Sequence, residues 1–212
     1  MNTFRSVPLR HVARILGGGT PSLSSANWGG NIPFITPKDL RKVDGTTVGH
    51  TERTLTVDGV KTGSRIAPAG SLILSIRAPI GYCALLDKDS AFSQGCKTLV
   101  PNQGLIRPRF LLYWLASARE MLTSRANGTT FMELSSESLA SSIVELPNLE
   151  SQDRIVEFLD AELEQIDAFV AVQERLMALL SERRVALADV IMESIEADLV
   201  KLRFLFAPRN ER

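Results

Sequence analysis

The sequence predicts an α+β protein, a mixed globular domain followed by one long, coiled-coil-forming α-helix. Three observations carry that prediction. Up to Pro147 the apolar residues come in short runs broken by Gly, Pro, Ser and Asn; beyond it they recur at heptad spacing; and the sign of the charge changes at the same place.

The short runs include residues 71–76, 82–86 and 98–100, and they read as strands separated by turns. One helix is expected among them, from Pro108 to about Leu122. It carries Phe110, Leu111, Tyr113, Trp114, Leu115, Ala118 and Leu122, with Pro108 suited to a first turn. Asn127-Gly128 closes that stretch with a turn signal.

After Pro147 a single long helix is expected. Asn148 or Ser151 caps its start, and Glu150 and Asp153 suit the positive end of its dipole. Neither Gly nor Pro interrupts residues 149–199. The positions Val156, Leu159, Leu163, Ile166, Val170, Gln173, Met177, Leu180, Arg184, Leu187 and Ile191 form a seam at 3.5-residue spacing, apolar except at Gln173 and Arg184. Phe169, Leu176 and Val190 widen the stripe. The chain supplies no second helix to match this one, so the seam predicts a partner helix, most simply from a second copy. The polar Gln173 and Arg184 would then fix register. The alternative is a helix folded back over its own domain.

This organisation divides the chain at 1–147, 148–199 and 200–212. The last piece opens on Val200-Lys201-Leu202-Arg203, which repeats the pattern of Val7-Pro8-Leu9-Arg10 and reads as the start of a second unit or a tail.

The full chain has no net charge, but residues 1–147 carry 16 Lys/Arg against 10 Asp/Glu, and residues 148–212 carry 8 against 14. A basic domain joined to an acidic helix points to a polyanion partner for the first part. No run approaches the ~18–20 apolar residues of a membrane span, and the start has no apolar signal region. Cys83 and Cys96 lack metal-type spacing and neighbouring His ligands. They read as reduced core residues of a cytoplasmic protein, with a single disulfide as the alternative.

Catalytic signatures are missing. His11 and His50 have no paired-ligand context, and Gly17-Gly18-Gly19-Thr20 lacks the Lys-Ser/Thr of a phosphate-binding loop. Asn31-Ile32-Pro33-Phe34 departs at Ile32 from the Asn-Pro-Pro-Tyr/Phe of amino-methyltransferases, and reads as a strand entry. No cofactor, metal or catalytic residue is assigned.

What remains is a set of polar loops with single basic residues. The stretch 17–22 offers backbone N–H groups and the hydroxyl of Thr20 to a phosphate. Lys38 lies in a turn, Arg77 ends an apolar strand, and Ser93-Gln94-Gly95-Cys96-Lys97 joins an amide able to read adenine to a cation. Arg125 and Thr129 lie on another basic, hydroxyl-rich loop. A structural turn is the better reading of each loop alone; several on one net-basic domain point to nucleic acid. Thr20, Lys38, Arg77, Gln94, Lys97, Arg125 and Thr129 are therefore the expected contacts to double-stranded DNA, with Arg77 and Gln94 as base readers.

Several segments, in this order, resemble the specificity subunits of type I restriction-modification systems. They are Gly18-Gly19-Thr20-Pro21-Ser22, residues 28–40, residues 70–81, Phe92-Ser93-Gln94-Gly95-Cys96-Lys97, Gly128-Thr129-Thr130 and residues 146–156. Asn148 stands where that family usually carries proline. The resemblance implies a target recognition domain followed by a conserved helix, a unit that family members typically carry twice. It also implies recruitment of methyltransferase (modification) and restriction subunits, which supply the chemistry. With one unit, the chain is expected to act as a half-length subunit, homodimeric through its helix, reading a bipartite site. The alternatives are an N-terminal fragment of a two-unit subunit, or a coiled-coil adaptor whose domain binds protein.

Overall fold

The computed structural model describes residues 4–128 and 132–205, with side chains described as far as residue 195. An α+β domain followed by one long helix is what it contains, as the sequence predicts. The strands are β1 (Arg5–Pro8), β2 (Ala13–Gly17), β3 (Trp28–Ile35), β4 (Thr47–Val48), β5 (Thr54–Leu55), β6 (Ile66–Ala67), β7 (Leu72–Ser75), β8 (Cys83–Leu86), β9 (Ser90–Phe92), β10 (Cys96–Pro101) and β11 (Ile143–Leu146). The helices are α1 (Pro37–Lys42), α2 (Val57–Gly63), α3 (Pro108–Ser117), α4 (Arg119–Ser124), α5 (Ser136–Ala140) and α6 (Leu149–Leu205).

Among the described residues the strands form three sheets. The largest runs β2-β10-β7-β8-β4, a second runs β5-β3-β9-β6, and β1 pairs with β11. In β7 every side chain is buried, which is why the run 71–76 shows no alternation in sequence. Leu72 and Leu74 point to a core shared with Leu111, Leu112 and Leu115 of α3. Ile73, on the opposite face, packs with Ile35, Leu40, Ala84 and Phe92. A strand buried on both faces holds its register firmly, because a slip by one residue would exchange two filled cores.

The helix expected from Pro108 to about Leu122 is two helices, α3 and α4, broken at Ala118 (φ −83°, ψ 2°). The break turns Arg119 toward Asp44, with which it forms an ion pair, and sets its guanidinium 4.8 Å from the Tyr82 ring. A local 3.6-residue pattern cannot register that distant demand. Cys83 and Cys96 are free and buried, and burial pushes both thiols up to about 12.

Asn148 is the cap of α6, its Oδ1 accepting from Ser151 N–H at 2.8 Å. The first turns of α6 are fixed to the domain through two residues. Gln152 is fully buried, accepts from Arg107 N–H at 2.8 Å, and donates to the carbonyls of Leu105 (3.0 Å) and Pro147 (2.9 Å). Asp153 takes the Arg107 guanidinium through both oxygens, at 2.8 and 2.9 Å, which holds its carboxyl below the usual range.

Residues 1–157 and 158–212 are separate compact units. In the second, α6 continues through Leu205, beyond the expected end at Leu199, and its 57 residues extend for about 85 Å at the standard rise. Val200-Lys201-Leu202-Arg203 is helical, whereas Val7-Pro8-Leu9-Arg10 ends a strand and enters a 3-10 turn, so the shared pattern does not share a conformation. Residues 206–212 lie outside the described residues.

Candidate nucleic-acid interface

The organising element is the turn at 93–96, which joins β9 to β10. Its closing bond runs from Cys96 N–H to Ser93 C=O at 3.0 Å. Three neighbours are drawn onto it by backbone bonds: Ile35 C=O accepts from Ser93 N–H at 2.9 Å, Gly95 C=O from Ile76 N–H at 2.9 Å, and Phe92 C=O from Gly19 N–H at 3.0 Å. Glycine is needed where these chains meet. A Cβ on Gly18 would lie 2.1 Å from the Ser93 carbonyl oxygen, and one on Gly95 would lie 2.9 Å from Pro37 Cγ.

Because of that packing, four expected contact residues surround one turn. Thr20 donates its hydroxyl to Gln94 Oε1. Lys38 follows Pro37, which packs beside Gly95. Lys97 is the first residue after the turn's closing bond, and Arg77 follows Ile76, which is bonded to Gly95. They come from different elements, with Lys38 on α1 rather than in the expected turn and Lys97 on β10, and Thr20 and Gln94 meet from 74 positions apart. The expected use of the glycine stretch changes, however: Gly19 N–H is taken by Phe92, so close packing rather than phosphate capture accounts for that glycine.

The remaining two expected contacts behave differently. Arg125 is exposed, and its guanidinium reaches Ser142 Oγ at 3.2 Å, just before β11. Thr129 lies outside the described residues.

Sequence reasoning did not find the acidic partners of these cations. Arg77 Nε–H donates to Glu133 Oε2 at 2.8 Å, and the two residues also form an antiparallel backbone bridge. Lys38 lies 3.8 Å from Glu52, which is shared with Lys42 at 3.0 Å. Lys97 is half-buried; burial lowers its ammonium below the ordinary lysine value, while Glu133 raises it and Arg77 lowers it further. Arg53, which the sequence also leaves unmarked, stacks 3.6 Å over the Trp28 ring. No local pattern announces any of these pairs, since each joins residues far apart in the chain.

Among the described residues no cluster of His, Cys, Asp and Glu is arranged to hold a metal ion, and no helix is long and apolar enough to cross a membrane. The surface around the turn offers hydroxyl, amide, ammonium and guanidinium groups, an inventory suited to phosphates and base edges.

A family model described as the type I restriction modification DNA specificity domain matches residues 1–173. The chain belongs to that family. A specificity-domain relative, the specificity subunit of the type I restriction enzyme MjaIX from Methanocaldococcus jannaschii, is 35% identical over 156 residues, covering 71% of this chain and 36% of its own. The EcoR124I/EcoR124II specificity subunit from Escherichia coli is 27% identical over 161 residues, covering 72% of this chain and 39% of its own. The chain therefore spans well under half the length of these relatives. A structure reported for complex assembly and conformational transition of the type I R-M system aligns with TM-score 0.70 over 85% of this chain and 43% of that one, at 24% identity. The HsdS subunit from Thermoanaerobacter tengcongensis aligns with TM-score 0.62 over 78% of this chain and 38% of its own, also at 24% identity. These two show a shared fold for this specificity domain.

Proposed function

We propose that the chain is a non-catalytic reader of DNA sequence, a recognition unit of a specificity subunit that directs methyltransferase and restriction subunits to a bipartite site in the cytoplasm. The observation that carries this reading is the convergence of Thr20, Lys38, Arg77, Gln94 and Lys97 on the turn at 93–96, within a domain of the DNA specificity family. Residues 1–147 act as the recognition domain, with Arg77 and Gln94 on base edges and Thr20, Lys38, Lys97, Arg125 and Thr129 on phosphates. The relatives named above are specificity subunits of restriction enzymes, which supports the choice of partners.

The helix beyond residue 157 is the dimerising spacer in this proposal. Leu163, Ile166, Val170, Met177, Leu180, Leu187 and Ile191 are between 41% and 70% exposed, as are Phe169, Leu176 and Val190. So continuous an apolar stripe is costly in water and calls for a covering helix. A second copy, with Leu159 and Gln173 in the same seam, would place two recognition domains about a two-fold axis and give a symmetric, interrupted site.

The test is binding of the full chain to duplex DNA across a salt series, with Arg77→Ala beside the wild type. The reading expects affinity that falls steeply with salt and a variant that loses site preference. Salt-independent or absent binding would favour a protein-binding adaptor, and methylation by the chain alone would favour an enzyme.

A further inference from the structure

The carboxylate of Glu133 is out of place on a surface built only to hold phosphates. It stands against Arg77 at 2.8 Å and is felt by Lys97, so it subtracts from the positive potential of both cations. Nor is it needed to place the backbone. Glu133 and Asn127 exchange backbone bonds at 3.0 and 3.1 Å, and Leu134 N–H bonds to Ile76 C=O at 2.9 Å, which already ties this segment to the end of β7. The side chain must therefore be explained by what it does to Arg77.

Its contact is with Nε. A guanidinium has five N–H donors in a rigid planar fork, and a carboxylate on Nε fixes the plane while leaving the outer edge, Nη1 and Nη2, unobstructed. Among the described residues those two nitrogens have no hydrogen-bond partner. Two parallel donors on a fixed edge match the O6 and N7 acceptors of guanine in the major groove. A phosphate would be bound more tightly without the carboxylate; a neutral base edge gains from a held orientation.

Resting on the DNA-reading proposal above, we propose that Glu133 is a positioning residue that sets Arg77 to read guanine, sacrificing nonspecific affinity for specificity. The motif preferred by the full chain is first obtained by selection from random duplexes. Each guanine in it is then replaced by 7-deazaguanine, which lacks the N7 acceptor, and affinities are compared with that for an unrelated duplex. In the wild type one guanine should show a penalty of roughly tenfold or more. Arg77→Ala should abolish that penalty. Glu133→Ala should also abolish it, although Arg77 is still present, while binding to the unrelated duplex becomes tighter. Glu133→Gln keeps an oxygen for Nε–H and should retain most of the penalty, again with tighter nonspecific binding. Unfolding curves of the variants establish that each is folded. If Glu133→Ala keeps the wild-type penalty, or weakens all duplexes equally, or if no guanine depends on Arg77, the inference is overturned. A wild type that selects no motif overturns the DNA-reading proposal itself.

Discussion

The side-chain oxygen of Gln152 accepts the backbone N–H of Arg107 at 2.8 Å, and this bond joins the start of the long helix to the loop before α3. With no exposed surface and all its polar atoms engaged, Gln152 acts as a polar pin through the junction. Gln152→Leu fills the space but leaves Arg107 N–H, Leu105 C=O and Pro147 C=O without it. The Pro147 carbonyl bond is buried and the other two only partly so, and a buried group so orphaned costs about 1–3 kcal/mol, so a loss of about that size is expected. Denaturant unfolding followed by circular dichroism measures it.

If Lys38 and Lys97 meet phosphates, Lys38→Ala and Lys97→Ala should each lower the slope of log affinity against log salt by about 1, uniformly across DNA sequences. Lys97 carries a further, pH-dependent signature. Burial holds its ammonium below the ordinary value of 10.5, so the unfolded chain keeps that proton after the folded chain has lost it. Over that interval the Lys97 contribution to stability rises with pH, so the stability of the wild type relative to Lys97→Met should climb. Titration of the unfolding midpoint between neutral pH and about 10.5 checks the sign.

Cys83 and Cys96 make an opposite prediction. With both thiols pushed up to about 12, thiolate is scarce in the native state at pH 8, and neither sulfur is exposed. Ellman's reagent should therefore react with neither thiol until the protein unfolds, and with both in denaturant. Their linkage runs downward: stability contributed below 9.0 is lost as pH climbs toward about 12.

The seam is tested by charge. Leu163→Glu with Leu180→Glu puts two carboxylates in the stripe at positions that are 41% and 55% exposed in the single chain. The recognition domain should keep its unfolding behaviour while the mass by sedimentation falls from two chains to one. A wild type that is monomeric at all concentrations would remove the symmetric pair.

How much of this was readable beforehand depended on how local the signal was. The long helix was legible because Leu159, Leu163, Ile166 and Val170 repeat along one stretch of chain, with no Gly or Pro to interrupt them. The strands at 71–76 and 98–100 were legible for the same reason, and Thr20, Gln94 and Lys97 stood out through their glycine neighbours. Glu133 was illegible, since its meaning comes from Arg77, 56 residues earlier, across a backbone bridge. The break at Ala118 was equally hidden, because the Asp44 and Tyr82 side chains that meet Arg119 just after it come from another part of the chain.

Selection of random duplexes by the full chain tests the central claim most directly. At physiological salt the account predicts enrichment of one defined motif, interrupted by a gap and symmetric about its centre, with Arg77→Ala losing the enrichment. A pool that stays random under the wild type, or that enriches equally under Arg77→Ala, would contradict it.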